Sequence, residues 1–280
     1  MTNLEYFSGT PLKLNDKLSI IHPKIKDIIE LGYDTYMKYV STLITTKYDV
    51  ADVLWFENKI WYEDIKNDWD FFIQRALSNK KFAPVTIRQD NKALDMEMDS
   101  IFISDSFADA LNYFLGLDGG YILLRITKGE HKQTVFLSTK KDDDGYYIDK
   151  DSIKFTEHYY HVMLDYLKTI NWINPDYEFT HGGNKRAKKY ILQNDYKKRN
   201  KKHSPKVDLQ SIISSIIVKG IPYSEVWEYP IYAVYELYYR LLKIDSYSNT
   251  TRALYSGHYD TKKHPINWEK LNWTAIIKQT

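Results

Sequence analysis

Between Thr156 and Gly257 apolar residues recur every three or four positions, and that period restricts the fold more than any other feature of the chain. Tyr159, Val162, Met163, Tyr166, Leu167 and Ile170 form one stripe, with Thr156 placed to cap its first turn. Leu209, Ile212, Ile213, Ile216 and Ile217 form a second, opened by Ser204-Pro205 and closed by Gly220 and Pro222. A third begins at Pro230 and turns Ile231, Val234, Tyr235, Tyr238 and Leu242 inward. Ser248 is placed to cap a fourth that stops at Gly257. A helix with an apolar face must bury it, so this half reads as a helical bundle. The helix over 205–219 is its expected buried centre, and Ile213 should be enclosed there.

The first 117 residues repeat the theme. LKLNDKLSII at 12–21 reads as a short strand pair around an Asn-Asp turn. Pro23 suits the first turn of a long helix burying Ile25, Ile28, Ile29, Tyr36, Met37, Val40 and Leu43. Aromatic-rich helices are expected over 50–57 and 65–77. A further helix carries Phe107, Ala110, Leu111, Phe114 and Leu115, with Ser104 or Asp105 as cap and Gly116 as stop. The period changes only in the middle. YILLRIT (121–127), QTVFLST (133–139) and YYIDKD (146–151) are β-favouring runs divided by Lys128-Gly129 and Asp144-Gly145, which predicts a three-stranded antiparallel meander. The fold class is therefore α+β, mainly helical, with a C-terminal helical bundle and a small antiparallel meander. Its segments are 1–117, 118–155 and 156–280.

Composition narrows the function classes. Thirty-nine Lys and Arg against 37 Asp and Glu leave a net charge of +2, too little for a global field toward nucleic acid or membrane. There is no cysteine, so thiol catalysis and disulfides are excluded, and zinc has only His and carboxylates to bind. No apolar run approaches the roughly 18 residues of a membrane span, and the N-terminus lacks a signal-peptide core, so a cytosolic protein is expected. Tyrosine is abundant, at 25 of 280 residues. It reflects either A/T-rich codons or a tyrosine-rich contact surface, since Tyr offers large amphipathic area at low entropy cost.

The sharpest charge anomaly is KRAKKYILQNDYKKRNKK at 185–202, with nine cations against Asp195. Lys185, Arg186, Lys188, Lys189, Lys197, Lys198 and Arg199 are the candidate partner-binding residues. They would face an acidic protein surface, phosphate, or solvent alone. Exposed charges affect association more than stability, so reversing Lys188, Lys189, Lys197 and Lys198 should leave the melting temperature nearly unchanged. Glu157, His158 and His161 suggest a metal only at first sight. Glu157, His161 and Asp165 make an outward polar line, and a third strong ligand at a defined distance is missing. DDDG at 142–145 lacks the ligand alternation of a calcium loop and reads as a turn. Gly182-Gly183-Asn184 before the basic helix lacks a Walker lysine and hydroxyl, and reads as a helix-starting turn. No nucleophile elbow, P-loop, dinucleotide glycine pattern or HExxH occurs, so no catalytic residue, cofactor or metal site is expected.

Three stretches carry a resemblance: LSIIHPKIKDIIELGYDTYMKYV (18–40), GGNKRAKKYILQNDYKKRNKK (182–202) and ALYSGHYDTKKHPINWEKLNW (253–273). Together they resemble proteins encoded in the tail-morphogenesis region of phages and prophages of Firmicutes, similar to tail-assembly chaperones or tail accessory proteins. The β-rich middle at 119–151 departs from that pattern. The resemblance implies a non-enzymatic protein without cofactor, found in the host cytoplasm or the virion, whose partners are tape-measure and tail-tube proteins. It makes the matched positions structural, with Gly257 at a helix C-terminal turn and Trp273 anchoring the tail. The alternative is a nucleic-acid-binding phage protein that uses the basic 185–202 segment.

Overall fold

Leu12–Asn15 (β1) and Leu18–Ile20 (β2) pair antiparallel, and Asn15 closes the turn by accepting from the Lys17 amide at 2.8 Å. A short helix, Asn3–Ser8 (α1), precedes them. The computed structural model describes residues 3–78, 87–89, 92–94, 101–102, 105–116, 123–128, 133–138, 147–148, 153–173, 184–199, 208–257, 261 and 263–274.

The helix expected from Pro23 is two helices, Ile25–Leu31 (α2) and Tyr33–Ile44 (α3). Gly32 separates them at φ +89, a conformation that costs glycine little, and its carbonyl accepts the Tyr36 amide at 2.9 Å to start α3. The break rotates the stripe. Ile25, Ile28, Tyr36, Val40 and Leu43 are buried, whereas Ile29 is exposed. Ala51–Phe56 (α4), a single 3₁₀ turn at Tyr62–Asp64 and Asp68–Ser78 (α5) follow. The Asn67 side chain caps α5 by accepting from the Asp70 amide at 2.8 Å.

Ile87–Gln89 (β3), Lys92–Leu94 (β4) and Ile101–Phe102 (β5) lead to Asp105–Leu115 (α6), which ends at Gly116 with φ +58. Leu123–Lys128 (β6) and Gln133–Ser138 (β7) form the expected antiparallel pair. The third strand of the meander is a correction. Tyr147–Ile148 (β8) pairs parallel with β3, and β7 is completed instead by Ile153–Phe155 (β9), giving the order β5-β6-β7-β9. Phe155 explains the choice, because β9 carries it wholly into the core while leading directly into the next helix. Ser104, Gly129, the 142–145 turn and Gly145 lie outside the described residues.

Glu157–Ile170 (α7) starts as expected, with Thr156 Oγ1 accepting from the Tyr159 amide at 3.3 Å. Lys185–Arg199 (α8) is the basic helix. Leu209–Val218 (α9) begins later than 205, capped by Asp208, whose Oδ1 accepts from the Ser211 amide at 2.7 Å; Ser204-Pro205 lies outside the described residues. Leu209, Ile212, Ile213 and Ile216 are buried, as the stripe requires. Tyr223–Val226 (α10) precedes Ile231–Tyr255 (α11), and Trp268–Leu271 (α12) closes the described chain. The two helices expected over 230–257 are one helix of 25 residues. No Gly or Pro interrupts 231–255, so Ser248 is interior rather than a cap. Gly257, at φ +74, ends it where expected.

One apolar cluster joins β2, α2, α3, α5, α6, β9, α7, α9 and the first turns of α11. The N-terminal and C-terminal stretches are also hydrogen-bonded together. The Ile25 and Lys26 amides donate to the Tyr229 and Trp227 carbonyls at 3.0 Å, and Ile231 donates back to Pro23 at 3.1 Å. Glu228 bridges Lys24 and Lys26 across this seam at 2.9 and 2.8 Å. The two lysines, Lys26 foremost, hold the Glu228 carboxyl at a pKa of about 2.

Candidate functional site

The helical period sorts the cations of α8 onto two faces. Leu192 is buried in a satellite cluster with Ala51, Leu54, Trp61, Tyr62 and Ile65. Lys185, Lys188, Lys189 and Tyr196 share the Leu192 face at i−7, i−4, i−3 and i+4. Each finds a partner on the stretch from Trp55 to Glu63. The Lys185 ammonium lies 5.1 Å from the Trp61 ring centroid, and that of Lys189 lies 4.3 Å from Trp55. The two indoles meet edge to face at 5.5 Å. Lys188 pairs with Glu63, which also accepts from Trp61 Nε1 at 2.8 Å. The hydrogen bond from Lys188, then that from Trp61, lowers the Glu63 pKa. Tyr196 packs on Phe56 at 5.1 Å and donates to Glu57 at 3.2 Å.

Three of the seven candidate cations therefore hold α8 against α4 and the 3₁₀ turn. The expectation that reversing Lys188 and Lys189 leaves the melting temperature unchanged is corrected accordingly. A carboxylate at 189 would face an indole, and one at 188 would face Glu63. Arg186 and Lys197 point away from this contact, are exposed, and have no partner among the described residues. Between them stands Tyr190, 65% exposed, which sequence reasoning passed over. The side chains of Lys198 and Arg199 lie outside the described residues, as do Gly182, Gly183 and 200–202. Asn184 caps the helix by accepting from the Ala187 amide at 3.0 Å.

A second surface lies between α9 and α11. Tyr238, Leu241 and Leu242 on α11 and Val218 on α9 line an open groove of about 330 Å³, closed at one edge by the Lys219–Asp245 ion pair at 2.7 Å. Val218 is 83% exposed and Leu242, expected to face inward, is 43% exposed. The first turns of α11 are enclosed by the core, whereas beyond Glu236 none of its residues is fully buried. On another side of α11, Tyr247 meets Trp268 edge to face at 5.9 Å. Arg240 holds Glu236 at 2.6 Å and donates to the Trp273 carbonyl at 2.8 Å. Trp273 thus contributes its carbonyl to the closing contact, while its side chain is 43% exposed. Val218 was legible as the first apolar residue off the α9 stripe.

His161 lies 3.8 Å from Glu157, and both are half-exposed. Among the described residues no group of three His, Asp or Glu side chains is placed to hold a metal ion. No helix among them is long and apolar enough to cross a membrane.

Residues 197–278 match the family described as YomV second domain. The match is to a phage-related domain family, and it spans α9, α10, α11 and α12. No curated protein and no solved structure matches the chain.

Proposed function

We propose that the chain is a non-enzymatic phage tail-morphogenesis protein, chaperone-like or accessory, that holds an amphipathic helix of a tape-measure or tail-tube protein in the α9–α11 groove. The observation that carries this reading is the open apolar groove whose rim residues Val218 and Leu242 are exposed, within the stretch similar to the YomV second domain. An apolar trough between two helices suits a third helix that inserts side chains at i, i+3 or i+4 and i+7. The sequence resemblance at 18–40, 182–202 and 253–273 supports the tail context and implies the host cytoplasm or the virion as the location. A nucleic-acid role has less to draw on, because Lys185, Lys188 and Lys189 are engaged within the chain.

The test is co-expression with the tape-measure protein of the phage or prophage that carries this gene. Soluble tape-measure protein should co-purify with the wild type and fall at least tenfold with Val218→Glu plus Leu242→Glu. Both positions are exposed, so the melting temperature should hold. Undiminished capture by the double variant, or none by the wild type, refutes the reading.

A further inference from the structure

We propose that the outward ridge of α8, formed by Arg186, Tyr190 and Lys197, docks an acidic surface of a protein partner, separately from the α9–α11 groove. The two free cations lie eleven residues apart on one face, about 16 Å along the helix axis at 1.5 Å per residue. Tyr190 projects between them, and Gln193 completes the stripe with no negative charge. The one acidic residue of α8, Asp195, is half a turn round the helix from Arg186. An exposed tyrosine is ordinary by itself. Flanked by cations on both sides, it has the composition of a binding hot spot, where Tyr and Arg predominate.

Rigidity adds to the case. The inward cations and Leu192 fix α8 on Trp55, Trp61 and Glu63, so the ridge is ordered before any partner arrives. The matching surface places two carboxylates about 16 Å apart across a shallow apolar depression that takes one ring. A phosphate chain fits less well. Among the described residues Arg186 and Lys197 are the cations of the helix left to meet a phosphate, since Lys185, Lys188 and Lys189 are engaged within the chain.

The probe is a synthetic helical peptide with two glutamates eleven residues apart around a central leucine pair, compared with its glutamine twin and with single-stranded DNA and RNA of about 20 nucleotides. Titration by fluorescence anisotropy at about 150 mM salt should show the glutamate peptide binding at least tenfold more tightly than the twin. Arg186→Ala plus Lys197→Ala, and separately Tyr190→Ala, should each remove that advantage. Val218→Glu should leave it intact, which separates this ridge from the groove. Circular dichroism melts of the three variants should match the wild type. Equal binding of the two peptides, no binding, indifference to the α8 variants, or tighter binding of an oligonucleotide through the same residues overturns the proposal.

Discussion

His22 should make this protein lose stability over a pH range where its carboxylates contribute little. The ring sits between β2 and Pro23, 7% exposed, edge to face with Tyr166 at 5.9 Å, and neither nitrogen has a hydrogen-bond partner among the described residues. Burial pushes its pKa down from 6.5 to about 4. A depressed imidazole pKa means that the unfolded chain takes up the proton first as pH falls. The stability is fully present above 6.5 and is lost as pH falls through 4. A difference of about 2.5 units at 1.36 kcal/mol each gives about 3 kcal/mol between pH 7 and pH 4. His22→Phe keeps the ring contact and removes both orphan nitrogens, so that component should vanish. Urea unfolding of both proteins at pH 7, 6, 5 and 4 checks it. Carboxylates such as Glu228, whose contribution is lost as pH falls from about 4.5 toward 2, are common to both and cancel in the difference. The gap between variant and wild type should widen in favour of the variant by about 3 kcal/mol as pH falls to 4. Parallel pH profiles would refute the assignment of a neutral, desolvated imidazole.

Lys185→Glu with Lys188→Glu and Lys189→Glu should release α8, raising amide hydrogen exchange along 185–199 and altering the fluorescence of Trp55 and Trp61, while Arg186→Glu should do neither. Gly9→Ala should cost on the order of 1–3 kcal/mol in chemical denaturation, because φ is +74 and a Cβ there would lie 2.5 Å from Pro230 Cγ. Tyr36→Phe leaves Asn171 Oδ1 buried without its 2.7 Å donor and should cost about 1–3 kcal/mol by the same assay. Ile213→Ala should cost about 2–5 kcal/mol, as for other enclosed aliphatic truncations.

What the sequence made legible were the features set by local chemistry. Thr156, Gly116 and Gly257 act where their residue types direct, because a cap or a left-handed turn involves only a few neighbours. Four of the five residues of the α9 stripe are buried as read and Ile217 is partly buried, since aliphatic residues on one face must find a core. Gly32 was missed because the apolar spacing continues across it and hides a change of helix axis. The third meander strand was misplaced because strand pairing depends on where Phe155 finds its core, which the β-favouring run at 146–151 does not reveal. The faces of α8 failed for the same kind of reason. Its partners, Trp55, Trp61 and Glu63, lie more than a hundred residues away, and no local pattern names them. One signal was available: Leu192 and Tyr196, spaced i and i+4, mark an inward face to which Lys185, Lys188 and Lys189 also belong.

That partition changes what the basic segment can do. Counting its cations overstates its field, because a lysine over an indole and a lysine paired with Glu63 have already spent much of their attraction within the chain. The cations left on the outer ridge are exposed, and exposed charges govern encounter rate and partner discrimination more than residence time. The α9–α11 groove has the opposite character. It offers apolar area with one ion pair at its edge, which favours slow dissociation and gives little long-range guidance. The proposed roles therefore follow from the physics of each surface. Raising the salt should slow association through α8 and leave dissociation from the groove nearly unchanged, whereas Leu242→Glu should speed dissociation at any salt. Stopped-flow association and dissociation with the tape-measure protein at about 50 and 500 mM salt would read both rates. Salt acting mainly on dissociation would mean that one surface performs both tasks, and would refute the division.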